Sequence, residues 1–304
     1  DLPRNIFSGF VVSLVALPLG LGLALASGAP PISGIIAAIV GGVICAILGG
    51  SNVTITGPGN GLVVVILSAI TILGEGNMYE GYLYTLAAII ISGALMFFLG
   101  VLRLGSLSNF FPSSAIQGML AAIGIGILAK QFHVMLGIRS VKGSTLDLLQ
   151  AIPDSIFNFV AFHPFSGILG FLSLVFLFLY SRIRNPYFHL IPAPMWVVVG
   201  SIGIGYYYNL VLNQQTPIDP NLLIKIPDEL FSNLPRPNFS KWNDSSFWGV
   251  VFSITIIANI ESLLSIKAVD KLDPKKRRSN VNKDLRALGL ASVVSGFLGG
   301  LNVV

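Results

Sequence analysis

Thr56-Gly57-Pro58-Gly59-Asn60-Gly61 leads into an apolar run from Leu62 to Leu73 that is interrupted only by Ser68 and Thr71. Three glycines and a proline disfavour helix over the first part, so the candidate span 57–74 opens with a break and continues as a short helix. A helix that starts late in a span exposes N–H groups with no intrahelical partner. Such an end carries partial positive charge and suits an anion. Within a bilayer a broken helix is tolerated only where it lines a protein cavity. Gly57 and Gly59 permit close backbone approach, Pro58 fits a first helical turn and Asn60 offers an amide. These four residues are the candidate anion contacts.

Composition places this segment in a membrane. Hydrophobic residues make up 54% of the 304-residue chain and charged residues 10%, against about 25% charged in an ordinary soluble domain. So few charges cannot coat a soluble surface. Soluble multidomain, disordered, disulfide-stapled and fibrous classes are excluded. The single cysteine, Cys45, lies in an apolar run and cannot form an internal disulfide. Nine spans of about the length a bilayer needs are expected at 6–26, 33–50, 57–74, 82–101, 113–135, 164–182, 190–212, 246–266 and 286–300. Segment 144–160 is amphipathic, with Leu146, Leu149, Ile152 and Ile156 at helical spacing, and is expected at the outer interface. Stretch 213–245, with Pro217, Pro220, Pro227, Pro235 and Pro237, reads as an outer loop or a linker between halves. Its Asn238-Phe239-Ser240 and Asn243-Asp244-Ser245 are formal glycosylation sequons.

Lysine and arginine set the orientation. With the N-terminus cytoplasmic, Arg4, Arg103, Arg182, Arg184, Lys267, Lys271, Lys275, Lys276, Arg277, Arg278, Lys283 and Arg286 fall inside. Only Lys130, Arg139, Lys142, Lys225, Arg236 and Lys241 fall outside. The net charge of +5 is thus a topology signal, and no nucleic-acid partner is expected. The expected location is a cell or plasma membrane, crossed several times. No cleavable signal peptide is visible. A start at Asp1 and an end at Val304, just after Gly299-Gly300, read as part of a longer protein.

An internal repeat relates the two ends of the chain. Phe7-Ser8-Gly9-Phe10-Val11-Val12-Ser13 matches Phe247-Trp248-Gly249-Val250-Val251-Phe252-Ser253 at four of seven positions. Gly49-Gly50-Ser51-Asn52-Val53 matches Gly299-Gly300-Leu301-Asn302-Val303 at four of five. Seven spans separate the repeat starts, so the second copy is inverted across the membrane. Its counterpart of the Gly57–Gly61 break is expected a few residues past Val304.

Glu261 is the only acid well inside an apolar span. A carboxylate there costs roughly 2.5–3.5 kcal/mol on insertion scales, which marks it as a functional candidate. Ile254, Ile257, Ala258 and Ser265 share its helix face, while Asn259 points away. Glu261 and Ser265 are the candidate site for a coupling Na+ or proton; no other metal or cofactor is expected. The competing structural reading pairs Glu261 with a base such as Lys267. His133 and Lys130 sit near a span end and are expected to snorkel to the interface. Catalysis is not expected. His133, His163 and His189 are scattered, and no metal-ligand spacing, Ser-His-Asp arrangement or P-loop is present.

Several segments together resemble the SulP family of sulfate permease-type anion transporters. They are Ala16-Leu17-Pro18, Ala26-Ser27-Gly28-Ala29-Pro30-Pro31, Gly57-Pro58, Gln131-Phe132-His133-Val134-Met135-Leu136-Gly137 and, most specifically, Glu261-Ser262-Leu263-Leu264-Ser265. Ala268, Asp270-Lys271-Leu272, the basic loop and Asn280 follow. The resemblance covers essentially the whole chain. It implies an all-α polytopic membrane protein with a seven-plus-seven inverted-repeat transporter fold, about nine of fourteen spans being present. The implied core (transport) domain comprises spans 1–4 at 1–105 and spans 8–9 at 246–304. The implied gate domain is 106–212, with the outer loop or linker at 213–245. A tenth helix, a cytoplasmic STAS domain and a homodimer formed through the missing C-terminal part are further implications.

On the same resemblance, Gly57, Pro58, Gly59 and Asn60 contact the anion, Pro18 and Leu19 line the first span, and Glu261 with Ser265 holds the coupling ion. Leu19 stands where many sulfate-type members carry Gln, and Gly59-Asn60 replaces a simple small residue or Thr. The first departure tilts the expected substrate toward bicarbonate, with sulfate open. The expected function is secondary active transport of a small inorganic anion by alternating access, coupled to Na+ or H+. The alternatives are a nucleobase permease of the same architecture and an anion channel or voltage-responsive membrane protein.

Overall fold

The computed structural model describes residues 2–105, 113–138, 145–162, 164–183, 193–208, 234–270, 273 and 275–304. Among them are eleven helices: α1 (Leu2–Ala26), α2 (Pro31–Leu48), α3 (Val63–Gly74), α4 (Met78–Val101), α5 (Ser113–Met135), α6 (Thr145–Gln150), α7 (Ile152–Phe162), α8 (Pro164–Tyr180), α9 (Ala193–Tyr206), α10 (Ser245–Asp270) and α11 (Val281–Phe297). Asn5–Ala26, Pro31–Leu48, Met78–Val101 and Ser245–Lys267 are long and apolar enough to cross a membrane.

Helix boundaries follow local chemistry. Pro31 occupies the first turn of α2, where its missing N–H costs nothing. The Asn77 side chain caps α4 by accepting from Tyr79 N at 3.1 Å and Glu80 N at 3.3 Å, and Glu80 lies in the first turn, favoured by the helix dipole. α3 ends where Glu75 adopts φ 45° and Gly76 φ 105°. Its 12 residues span about 18 Å, well short of a bilayer core of about 30 Å. The ninth span differs from the expected 286–300: α11 starts earlier, at Val281, because Asn280 caps it by accepting from Lys283 N at 3.1 Å. Its polar first turn hid that start from an apolar count. The amphipathic segment at 144–160 is two helices, α6 and α7, parted at Ala151. The Pro-rich stretch is described only from residue 234 onward; Pro217, Pro220, Pro227, His163 and His189 lie outside the described residues.

The chain divides into two compact units, residues 1–18 with 125–225 and residues 19–124 with 226–304. In the second unit α4 is the central element, with α3, α10 and α11 against it and α2 against α11. Tyr82, Leu86, Ile89 and Met96 of α4, Phe247 and Ile254 of α10 and Leu288 of α11 share one buried core. α4 and α11 approach until their backbones touch. A Cβ on Gly289 would lie 2.5 Å from Phe97 N and 2.6 Å from Gly93 O. Small residues at such a seam let membrane helices close without gaps.

In the first unit α7 packs on α8, and α8 on α9. His133 corrects the snorkelling expectation. It is buried, with Nδ1 2.8 Å from Ser155 Oγ and Nε2 2.9 Å from the Leu148 carbonyl oxygen. Both ring nitrogens are therefore used to pin α5 to α6 and α7. The reach of the two short helices back to α5 was not visible from position along the span. The Lys130 side chain lies outside the described residues.

Gly289→Val should lower stability by about 1–3 kcal/mol, the usual range for overpacking a tight seam. Thermal melting of the detergent-solubilised full-length protein reads this; a melting temperature equal to the parent's would show that the seam has slack.

Candidate functional site

Two extended segments meet where α3 begins. Residues 55–58 and 301–304 lack helix, and an antiparallel bridge joins Pro58 to Val303. Gly57 N donates to Val304 O at 3.1 Å, Val304 N to Gly57 O at 2.9 Å, and Gly59 N to Asn302 O at 3.2 Å. Pro58 sits at the bridge position itself and has no N–H to leave unpaired. One segment follows α2 and the other follows α11, each after one copy of the sequence repeat, at Gly49-Gly50 and Gly299-Gly300.

α11 anchors the second segment through serines. Ser295 Oγ donates to Leu301 O at 2.6 Å. Ser292 Oγ donates to Val303 O at 3.2 Å and accepts from Val303 N at 3.1 Å. Leu301 N reaches Ser33 O on α2 at 3.1 Å. Val303 packs so closely against α2 that a Cβ on Gly41 would lie 2.7 Å from its Cγ1.

Glu261 on α10 completes the arrangement. Its Oε1 accepts from Gly61 N at 2.8 Å. The carboxylate is buried, and no partner falls to Oε2 among the described residues. A Cβ on Gly61 would stand 2.8 Å from Oε2 and 3.0 Å from Cδ; one on Gly59 would stand 3.3 Å from Oε2. The carboxylate thus occupies the space that side chains at 59 and 61 would fill. The alternative pairing of Glu261 with Lys267 is not what its contacts show: the recorded partner is a backbone amide at the start of α3.

The expected anion contacts are distributed as follows. The N–H groups of Gly57 and Gly59 are not free, because the crossing strand takes them. The Asn60 carbonyl accepts from Val63 N at 3.5 Å, and Asn60 is exposed. At the start of α3, no partner falls to the N–H groups of Leu62, Val64 and Val65 among the described residues. These amides, unlike those of Gly57 and Gly59, are not taken by the crossing segment. Ser265, one turn beyond Glu261, is half-buried and makes no recorded hydrogen bond to it. Pro18 and Leu19 lie on α1, on either side of the division between the two units; Leu19 is exposed.

Sequence reading passed over three other polar residues. Asn302 is buried with both side-chain polar atoms unpartnered among the described residues, as is the Ser262 hydroxyl. The repeat match contained Asn302, which was the available signal. Asp284 is buried as well, and its Oδ1 accepts from Gly50 N at 2.9 Å and Ser51 N at 3.2 Å. Asn280 N donates to Gly50 O at 3.0 Å. Ser279 Oγ lies 3.1 Å from Ser51 Oγ and donates to Asp270 Oδ1 at 2.5 Å. This network ties the exit of α2 to the α10–α11 link. Among the described residues no group of three His, Cys, Asp or Glu could hold a metal ion. Buried side-chain oxygens without a partner among the described residues include Glu261 Oε2, Ser262 Oγ and Asn302 Oδ1.

Comparison with known proteins agrees with the fold. The sulfate permease family matches residues 2–304. A putative sulfate transporter, YvdB, of Bacillus subtilis is 23% identical over 98% of this chain and 53% of its own length. The bicarbonate transporter BicA of Picosynechococcus sp. is 25% identical over 99% of this chain and 51% of its own. The chain spans about half the length of the curated relatives it matches. Among solved structures, the transmembrane domain of a cyanobacterial BicA superposes with a TM-score of 0.79 at 23% identity, covering 98% of this chain and 72% of that one. Murine solute carrier 26 family member A9, in an inward-facing state, gives 0.76 at 19% identity, covering 97% and 50%.

Gly61→Ala should push the carboxylate off the amide and cost about 2 kcal/mol, the worth of a charge-assisted hydrogen bond. Thermal melting in detergent measures this, and an unchanged transition would show that Glu261 does not rest on this amide.

Proposed function

Because the chain belongs to the sulfate permease family, a family of multi-pass membrane proteins, we propose that it forms part of a secondary active transporter of small inorganic anions. The observation that carries this reading is the Glu261 carboxylate seated on Gly61 N at the start of a half-length helix. Seven-plus-seven inverted-repeat proteins supply its fold. The names of its relatives supply the substrate class, sulfate or bicarbonate.

The electrostatics imply coupling. A helix N-terminus offers about half a positive charge. An ionised Glu261 beside it brings a full negative charge and outweighs that attraction. Two unit charges about 6 Å apart repel by about 3 kcal/mol at an effective dielectric of about 20, roughly a hundredfold in affinity. A Na+ ion or proton on Glu261 removes the repulsion and lets the helix end attract the anion. Each solute then binds better with the other present, which is the thermodynamic content of symport. Glu261 and Ser265 hold the cation; Gly57, Pro58, Gly59 and Asn60 wall the anion, and the amides of Leu62, Val64 and Val65 donate to it. Leu19 adds no hydrogen bond from α1, which favours bicarbonate over the more strongly hydrated, doubly charged sulfate. Alternating access, elevator-like or rocking, delivers both solutes, with the N-terminus cytoplasmic and the full protein a homodimer.

Uptake of labelled bicarbonate and sulfate into proteoliposomes holding the full-length protein, with and without Na+ and proton gradients, tests this. Glu261→Gln should abolish gradient-driven uptake while the protein still inserts and melts normally. Unchanged coupled uptake would remove Glu261 from the mechanism. Uptake competed by uracil but not by oxyanions would replace the substrate class.

A further inference from the structure

A charged cavity lies at the C-terminal end of α4 and the N-terminal end of α11, away from the bridge. Gly100, Val101, Arg103, Asn280, Asn282 and Arg286 line a space of about 410 Å³, within the size range of small-molecule sites.

The charged side chains that line it are the two arginines. Among the described residues neither Arg103 nor Arg286 has an ion pair. Nearby acids in the α10–α11 link and on α11 bond to other groups. Arg277 Nε binds Asp273 Oδ2 at 2.9 Å, and that guanidinium holds the Asp273 carboxyl well below the usual carboxylate range. Asp270 accepts from Ser279, and Asp284 from the amides of Gly50 and Ser51.

The two arginines are also positioned. The Arg286 stem lies against α4, where a Cβ on Gly100 would come within 2.8 Å of its Cγ, and its Nε donates to Asn282 O at 3.3 Å. The terminal guanidinium nitrogens remain as a fork of donors, the geometry that suits phosphate oxygens. Asn282 Oδ1 accepts from Gly105 N at 2.9 Å, which fastens the turn bearing Arg103 to α11 and leaves the amide Nδ2 to donate. Arg103 adopts φ 59°, a left-handed conformation uncommon for a long side chain. Backbone strain of this kind collects at ligand sites.

Apolar surface adjoins the cavity. Phe98, Val101 and Leu102 are 59%, 47% and 66% exposed. Their i, i+3, i+4 spacing sets them on one side of the last turn of α4. A free phosphate has no use for such a stripe, whereas a phospholipid lays its acyl chains there. From these juxtaposed features we infer that Arg103, Arg286 and Asn282 form a phosphate-binding pocket that holds the headgroup of an anionic phospholipid, with its chains along Phe98, Val101 and Leu102.

Native mass spectrometry of the full-length protein, exchanged into mixtures of phosphatidylglycerol and phosphatidylcholine, tests this. The parent should retain phosphatidylglycerol at least about tenfold over phosphatidylcholine, and the double variant Arg103→Asn, Arg286→Gln should lose that preference. Asparagine tolerates the left-handed backbone at 103, and Arg103→Asn alone should melt no lower than the parent. That single variant should still weaken phosphatidylglycerol retention severalfold. Equal retention by parent and double variant would overturn the pocket. Binding of inorganic phosphate with the same arginine dependence, but no preference between the lipids, would overturn the lipid assignment.

Discussion

An extended backbone inside a bilayer has no water to satisfy its N–H and C=O groups, and each one left bare costs several kcal/mol. The protein meets this constraint by crossing two extended segments at Pro58 and Val303, where each supplies the hydrogen-bond partners of the other. Much else in the second unit serves that crossing. Ser292 and Ser295 of α11 hold the strand at 301–303, and Ser33 of α2 braces its start. The tight α4–α11 seam keeps the helix that carries those serines close. The pairing also lets α3 begin late without exposing bare peptide groups along its whole approach.

Glu261 gains its meaning from the same geometry. On α10 alone it is an expensive carboxylate. Set against Gly61 N, it places a carboxylate at the start of α3. A second set of contacts, from Asp284, Asn280 and Ser279 to Gly50 and Ser51, fixes the opposite end of the segment that leads into α3. The crossing is therefore held at both ends by residues of the α10–α11 half.

Much of this was legible in the residues. The break at Gly57–Gly61 follows from glycine and proline chemistry, and the shortness of α3 from counting apolar residues. The match of Gly299-Gly300-Leu301-Asn302-Val303 to Gly49-Gly50-Ser51-Asn52-Val53 marks the exits of α11 and α2, although nothing in either stretch says that the segments there pair. His133 was misread because its place near a span end suggested an interfacial tip, whereas Leu148 and Ser155 fold back to enclose it. Asp284 escaped notice because a first-turn acid next to an N-cap is ordinary on any helix; its burial depends on Gly50 and Ser51, more than two hundred residues away.

Periodicity, charge placement and helix-breaking residues are local, and the sequence by itself determined what depends on them: the membrane class, the interrupted third helix and an acid inside an apolar span. Which amides that acid and the crossing strand occupy was decided only by tertiary structure. Gly57 and Gly59 read as open donors, yet they bond to Val304 and Asn302, while Leu62, Val64 and Val65 keep theirs. The reason is physical: hydrogen bonds between distant segments depend on how α2, α10 and α11 pack around α3 and α4, and packing is a property of surfaces in three dimensions that no single stretch of chain encodes.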